Sequence, residues 1–311
     1  MRSCCIIYSE RRIFVDCFDF AQIRSPILLR GDERTAFRDP AVFFRDGLFY
    51  LFFTLVETEA DGTPFLYTAM VKSRDLIRFT PVRKLTERNQ AKNYSSPGNV
   101  IEFNGEYHLC LQSYCRENGE KFGNENCRLF LMHSSDLEHW SDPELLRVKG
   151  DSPTDSEAGR MIDPFILKQG DLFYCFFKQN GVSRSVSRDL KHWKFLGTSE
   201  AGENVCIIPD GKRFLMVHSP KNGIAFKESS DLSEWRDCGI TYLGAPEWKW
   251  AEGRITAGFI LDLRDSPGIG KVLLFFHGTG PEDESVIFDT HACLGIAWSD
   301  DLCCWDWPGK Q

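Results

Sequence analysis

The chain has 311 residues, 42% of them hydrophobic, 13% aromatic and 26% charged, with a formal net charge of −8. That composition describes a folding chain with material for a sizeable core. The acidic balance excludes the basic footprint that nucleic acid requires and the cationic face that anionic lipid attracts, so an uncharged partner such as a sugar fits better.

No apolar run is long enough to span a bilayer. The opening residues Met1 to Ile7 are interrupted by Glu10, Arg11 and Arg12 before an export signal reaches useful length, so a soluble cytoplasmic protein is expected. Twelve cysteines are scattered through apolar, strand-like runs. They read as free core residues, without the spacing of a disulfide framework or a zinc site. Nothing in the sequence specifies an oligomeric state.

Taken in chain order, residues 1–35 have no counterpart elsewhere and are expected to pack on, or close, the repeated array formed by the rest of the chain. From residue 36 onward one unit recurs: an apolar strand, a polar turn, then an aromatic-rich strand. The first runs from Pro40 through Asp46 and Gly47 to Phe53, and the second from Pro97 through Asn104 and Gly105 to Cys110. The third runs from Pro164 through Gly170 to Phe177, and the fourth from Val205 through Asp210 and Gly211 to Val217. In the last, Ile255–Leu261 joins Val272–His277 by a longer turn. Asp-Gly and Asn-Gly turns are the hairpin signal between paired strands.

After each hairpin comes the pattern Ser-x-Asp-Leu-x-x-aromatic. It starts at Ser73, Ser134, Ser187, Ser229 and Ser299 and ends at Phe79, Trp140, Trp193, Trp235 and Trp305. Ser and Asp satisfy a turn through side-chain bonds to the backbone, while Leu and the aromatic anchor it on the core. Units of this size with four strands are propeller blades. An all-β, five-bladed β-propeller is therefore expected over residues 36–311. A β-sandwich would not require the same end motif on every unit.

Innermost strands begin at one end of a propeller's channel, so equivalent positions converge on a funnel. Counting back eleven residues from Tyr50, Tyr107, Tyr174 and Phe214 gives Asp39, Ser96, Asp163 and Glu203, and the fifth unit aligns at Thr256. Three carboxylates in matching phase suit glycosidic cleavage, which needs one carboxylate as base or nucleophile and another kept protonated as acid. Asp-Pro is also common turn chemistry, and the shared phase is what favours function. Glu252 competes with Glu203 as the acid, with Trp248 and Trp250 beside it as a candidate stacking platform for a sugar ring. Arg38, Arg160 and Arg254 are candidates for binding substrate or holding carboxylates ionised, and His277 and His291 are further candidates near the channel.

The runs Phe37–Ala41 and Met161–Phe165, together with the closing turns, resemble the five-bladed glycoside hydrolases of family 43 and its relatives in families 32, 62, 68 and 117. The resemblance implies Asp39 as general base, Asp163 as the residue that tunes pKa and orients substrate, and Glu203 as general acid. No cofactor is called for, although a calcium ion in the channel near His277 follows by analogy with the family. The fifth unit, in Trp250, Arg254, Ile255, Ala257, Gly258 and Leu274–Gly278, is similar instead to the mannoside phosphorylases of family 130, whose basic and His side chains take up phosphate. The expected activity is hydrolysis of a short oligosaccharide or glycoside, with phosphorolysis or carbohydrate binding without catalysis as the alternatives.

Overall fold

Two hairpin turns form as the sequence predicts, whereas Asp210 stays in its strand, paired with Arg213, and Gly211 and Lys212 make the fourth turn. Asp46 and Gly47 both adopt positive φ (51° and 72°), as do Asn104 and Gly105 (52° and 81°), the geometry of a two-residue turn whose twist matches paired strands. The computed structural model describes residues 3–6, 13–16, 18–151 and 158–310.

Five four-stranded antiparallel sheets result. Blade I is built from Thr35–Arg45, Leu48–Thr58, Pro64–Ser73 and Arg83–Lys84. Blade II comprises Ser95–Phe103, Glu106–Gln112, Leu129–Ser134 and Glu144–Leu145. Blade III holds Ile162–Gln169, Leu172–Lys178, Val182–Ser187 and Lys194–Ser199, and blade IV Glu203–Asp210, Arg213–Ser219, Ile224–Ser229 and Arg236–Tyr242. In blade V the strands Arg254–Leu263, Lys271–Thr279 and Cys293–Ser299 are completed by Ile27–Leu29 from the beginning of the chain. That pairing, Leu29 with Leu294 and Ile27 with Gly295, ties the two ends of the chain into one sheet. A separate two-stranded ribbon, Ser3–Ile6 with Ile13–Asp16, precedes it. The architecture is a five-bladed β-propeller.

Second strands supply the core, with Phe49, Phe52, Phe53, Phe173, Phe176, Phe177, Phe275 and Phe276 all fully buried between blades. First strands of neighbouring blades pack on one another around the axis. The approach is closest at Gly98, where a Cβ would lie 1.6 Å from the Pro164 carbonyl oxygen, so only glycine fits.

Four of the five Ser-x-Asp-Leu turns are alike bond for bond at their centre, and the third, at Ser187, shares the bonds to Asp189, Lys191 and His192. In the first, Ser73 Oγ accepts from the N–H groups of Asp75 (3.3 Å) and Leu76 (2.8 Å), while Asp75 Oδ1 accepts from Ile77 (3.0 Å) and Arg78 (2.8 Å). In the last, Ser299 Oγ takes Asp301 and Leu302, and Asp301 Oδ1 takes Cys303 and Cys304. Every turn leucine is left-handed, at φ between 57° and 67°, yet buried. Burial of the leucine offsets a backbone conformation that costs about 1–2 kcal/mol for a residue with a Cβ.

From Cys110 to Cys304 the nine cysteines are free; Cys303 and Cys304 are exposed, Cys238 is half-buried and the other six are buried. Among the described residues no helix is long and apolar enough to cross a membrane.

Candidate active site

Each first strand is interrupted by a β-bulge near its beginning. At the bulge sits one residue with positive φ: Asp39 (49°), Ser96 (40°), Asp163 (52°), Asn204 (52°) and Ala257 (52°). This corrects the sequence phase by one residue in two blades. The true counterparts of Asp39 and Asp163 are Asn204 and Ala257; Glu203 and Thr256 instead share the preceding position with Arg38, Ser95 and Ile162. In blade IV the count slipped because Leu215, not Phe214, is the counterpart of Tyr50, and in blade V because the turn is longer.

A bulge residue loses its ladder partner, so its N–H needs an acceptor. Four blades use the side chain facing the bulge from the preceding blade's second strand. Ser96 N–H donates to Thr54 Oγ1 (2.7 Å), Asp163 N–H to Gln112 Oε1 (2.5 Å), Ala257 N–H to Ser219 Oγ (2.8 Å) and Asp39 N–H to His277 Nδ1 (3.1 Å). The corresponding position in blade III is Lys178, paired with Ile162. A lysine cannot accept, and the Asn204 N–H bonds the Asp163 carboxylate instead.

Asp39 is fixed through one oxygen. Thr54 Oγ1 donates to its Oδ2 at 2.8 Å and Ser96 Oγ at 3.0 Å. Asp163, only 7% exposed, lies deeper. Burial, then the negative charges of Glu203 and Asp39, push its carboxyl up from 3.8 to about 7, against the pull of Arg160 and of the Asn204 N–H. Glu203 is partly open and pairs with Arg254 at 2.8 Å. These three carboxylates line one cavity of about 400 Å³, together with Arg38, Ser96, Gln112, Tyr114, Arg160, Arg254 and Phe288. Phe122, 45% exposed, stands at its rim, edge-on to Phe288. Beneath it the axis narrows between Pro97, Gly98, Pro164 and Gly258 to a space of about 20 Å³, no more than one water. The cavity is a funnel with a floor, in the size range of small-molecule sites.

Behind the wall lies Glu284, a residue absent from the candidates drawn from sequence. It is 4% exposed. Its Oε1 takes Arg38 Nη2 (2.8 Å) and the His277 ring (3.0 Å), and its Oε2 takes Arg254 Nη1 (2.7 Å). Because His277 Nδ1 accepts from Asp39, the ring proton is on Nε2, donated to Glu284. Burial alone would raise the Glu284 carboxyl, but Arg38, His277 and Arg254 hold it well below its ordinary range. Arg38 also donates to the Phe288 carbonyl oxygen (2.6 Å) and stacks on the Phe288 ring. Glu284 follows Glu282 and Asp283 in a segment that reads as an acidic surface loop, so periodicity gave no signal. Thr54 and Gln112 had one: each stands directly across from a bulge.

Other candidates lie elsewhere. Glu252 is exposed, paired with Lys249 at 2.8 Å, and outside the cavity lining. Trp248 and Trp250 are not a sugar platform: both pack on Phe276, and Trp248 also meets Trp307, so their apolar faces are used by the core. His291 is held at φ 61° with its N–H on the Asp32 carbonyl oxygen and does not line the cavity. His277 is in place but sealed beneath Asp39. A calcium ion beside it does not fit, since both ring nitrogens are engaged and the adjoining Glu284 is flanked by two guanidinium groups. Among the described residues no cluster of three or more His, Cys, Asp and Glu is arranged for a metal.

No protein-family profile and no curated protein matches the chain. Solved structures do. An exo-1,5-α-L-arabinanase from a bovine ruminal metagenomic library is similar over 87% of this chain and 96% of its own, with a TM-score of 0.60 at 15% identity. The catalytic domain of the Coprinopsis cinerea GH62 α-L-arabinofuranosidase aligns over 89% and 99%, with 0.64 at 14%. The RS223 β-xylosidase aligns over 88% and 95%, with 0.58 at 12%. The fold is common to all three. Their likeness covers nearly the whole of each chain, so the propeller described here corresponds to a complete propeller in those proteins.

Proposed function

We propose that this protein is a glycoside hydrolase that cleaves a short oligosaccharide or glycoside with inversion of configuration. The observation that carries the reading is the meeting of Asp39, Asp163 and Glu203, from three blades, in one floored cavity. Asp39 Oδ1, 3.6 Å from His277 Nδ1, is outside the Thr54 and Ser96 bonds that hold Oδ2 and is the oxygen placed to take a proton from water. Burial, and then the neighbouring charges of Glu203 and Asp39, keep a proton on Asp163 toward neutrality. Glu203, more open than Asp163, delivers a proton to the leaving-group oxygen, and Asp163 keeps it supplied. The fold shared with arabinose- and xylose-cleaving enzymes makes arabino- and xylo-configured glycosides the first substrates to test. Phosphorolysis is disfavoured because Arg254 and His277, the residues on which it rested, are both bonded to Glu284.

The test is incubation with nitrophenyl arabinofuranosides and xylosides and with the corresponding oligosaccharides, with and without phosphate, following the anomer released by proton NMR. Free sugar of inverted configuration in phosphate-free buffer is the expected product. Sugar 1-phosphate formed only when phosphate is present would overturn hydrolysis, and saturable glycan binding without any product would overturn catalysis.

A further inference from the structure

We propose that Glu284 is a positioning residue that joins the two working halves of the site, fixing Asp39 on blade I relative to Glu203 on blade IV. The proposal rests on the hydrolase reading above and assigns a role to a side chain that touches no substrate. Three bonded routes leave this one buried carboxylate. Through His277 it reaches the Asp39 N–H, through Arg38 the residue before Asp39, and through Arg254 the Glu203 carboxylate.

A residue that only anchored the 281–291 segment would need one partner. Glu284 instead divides its two oxygens between groups that each lead to a different catalytic carboxylate. The charged and titratable groups facing it are Arg38, Arg254 and His277. Beyond them, Asp39, Tyr114 and Asp289 surround Arg38, and Glu203 meets Arg254. Two guanidinium groups are thus set against Glu284 and Glu203 together. Removing the Glu284 charge leaves Arg254 to bear on Glu203 alone and Arg38 uncompensated beside Asp39, so the catalytic carboxylates lose their protons more readily. A carboxamide also offers a single acceptor oxygen for three donors, and spacing between the halves is lost with it.

The decisive experiment compares wild type, Glu284→Gln and Glu284→Asp. Two readouts are used: the pH profile of kcat/KM on a nitrophenyl glycoside, and the titration of the Asp163 carboxyl by carbon NMR. For Glu284→Gln we expect both limbs of the profile, and the Asp163 midpoint, to move about one pH unit to the acid side. Misplacement of the two halves should also lower kcat by about a hundredfold. Glu284→Asp keeps the charge but shortens the reach, and should restore the limbs while kcat remains reduced and KM changes little.

A Glu284→Gln protein with lower kcat and unmoved limbs would overturn the proposal and reduce Glu284 to a loop anchor. If that variant does not fold, an aspartate variant with wild-type kcat would overturn it equally. The NMR arm does not depend on turnover: a wild type that cleaves no glycoside sinks the hydrolase reading, whereas an Asp163 midpoint unaffected by Glu284→Gln sinks this one.

Discussion

At the end of each blade where the third strand turns out of the sheet, the same Ser, Asp and Leu recur five times, and in every copy Ser accepts from the Asp N–H while Asp accepts from the two N–H groups after Leu. At the opposite end, five bulges share a backbone shape but carry Asp, Ser, Asp, Asn and Ala. The difference follows from where each end spends its side chains. A turn closed by its own Ser and Asp allows no exchange at those positions. A bulge whose N–H is accepted by the neighbouring blade leaves its own side chain uncommitted, and short polar side chains tolerate positive φ. One end is therefore a scaffold repeated without change, and the other holds five interchangeable sockets aimed at the axis.

If that division holds, substitutions at the bulge end act on rate and those at the turn end act on stability. The largest effect is expected for Asp39→Asn. Asparagine keeps the left-handed backbone and can still accept from Thr54 and Ser96, but it cannot take a proton from water. A fall in kcat of about three orders of magnitude is expected, with Tm unchanged by calorimetry. Ordinary turnover would remove Asp39 from the mechanism.

Next is Leu137→Ala at the turn end. Leu137 is buried while its φ is 64°, so the variant keeps the backbone strain and loses the burial that offsets it. Urea unfolding should show a loss of about 3 kcal/mol, and the kcat of the folded fraction should stay at its wild-type value. A drop in kcat would break the proposed separation of the two ends.

The same division decides what could be read from sequence. The propeller was legible because the Ser-x-Asp-Leu-x-x-aromatic turn and the Asp-Gly hairpins are local chemistry, written within a few residues of where they act. Asp39 and Asp163 were legible because their hairpins match residue for residue, and Ser96 because an extra residue in its bulge is offset by Tyr107 standing one place early. Asn204 and Ala257 were not, because a bulge adds a residue without any mark in composition; in blade IV the aromatic Phe214 stands one place before Leu215, the true counterpart of Tyr50, and in blade V the longer turn shifted the count. Trp248 and Trp250 misled for a related reason. An aromatic face looks the same whether it meets a sugar or, as here, Phe276. Glu284 was hidden because its partners Arg38, His277 and Arg254 come from other strands, and only the closed ring brings them together.

The third expectation concerns pH. The Asp163 carboxyl, shifted from 3.8 to about 7 first by burial and then by Glu203 and Asp39, binds a proton in the folded chain that the unfolded chain has already released. Stability must therefore fall as pH rises across that window, at about 1.4 kcal/mol per unit from this group. Glu284 acts in the opposite sense: its stabilisation is present above its ordinary value of 4.5 and lost as pH falls toward its lowered folded value. Denaturant unfolding of Asp163→Asn between about pH 2 and about pH 7 should show the neutral-side decline flattened and the acid-side loss intact. A decline as steep as that of the wild type would mean that Asp163 is ionised at neutrality.

The smallest effects make the most discriminating pair, because one hydroxyl from each end does the same job for the backbone. Ser229 Oγ accepts from the N–H groups of Asp231 (3.2 Å) and Leu232 (3.0 Å). Thr54 Oγ1 accepts from the Ser96 N–H (2.7 Å) and also donates to Asp39 (2.8 Å). Ser229→Ala and Thr54→Val each leave buried N–H groups without an acceptor, and each should cost about 1–2 kcal/mol in unfolding free energy. Only Thr54→Val also releases one of the two bonds that hold Asp39 Oδ2. That carboxylate can then rotate, and kcat should fall about tenfold with KM little changed. Equal kcat in the two variants would show that Ser96 alone orients Asp39, and that the hydroxyl opposite the bulge serves the backbone just as the turn serine does.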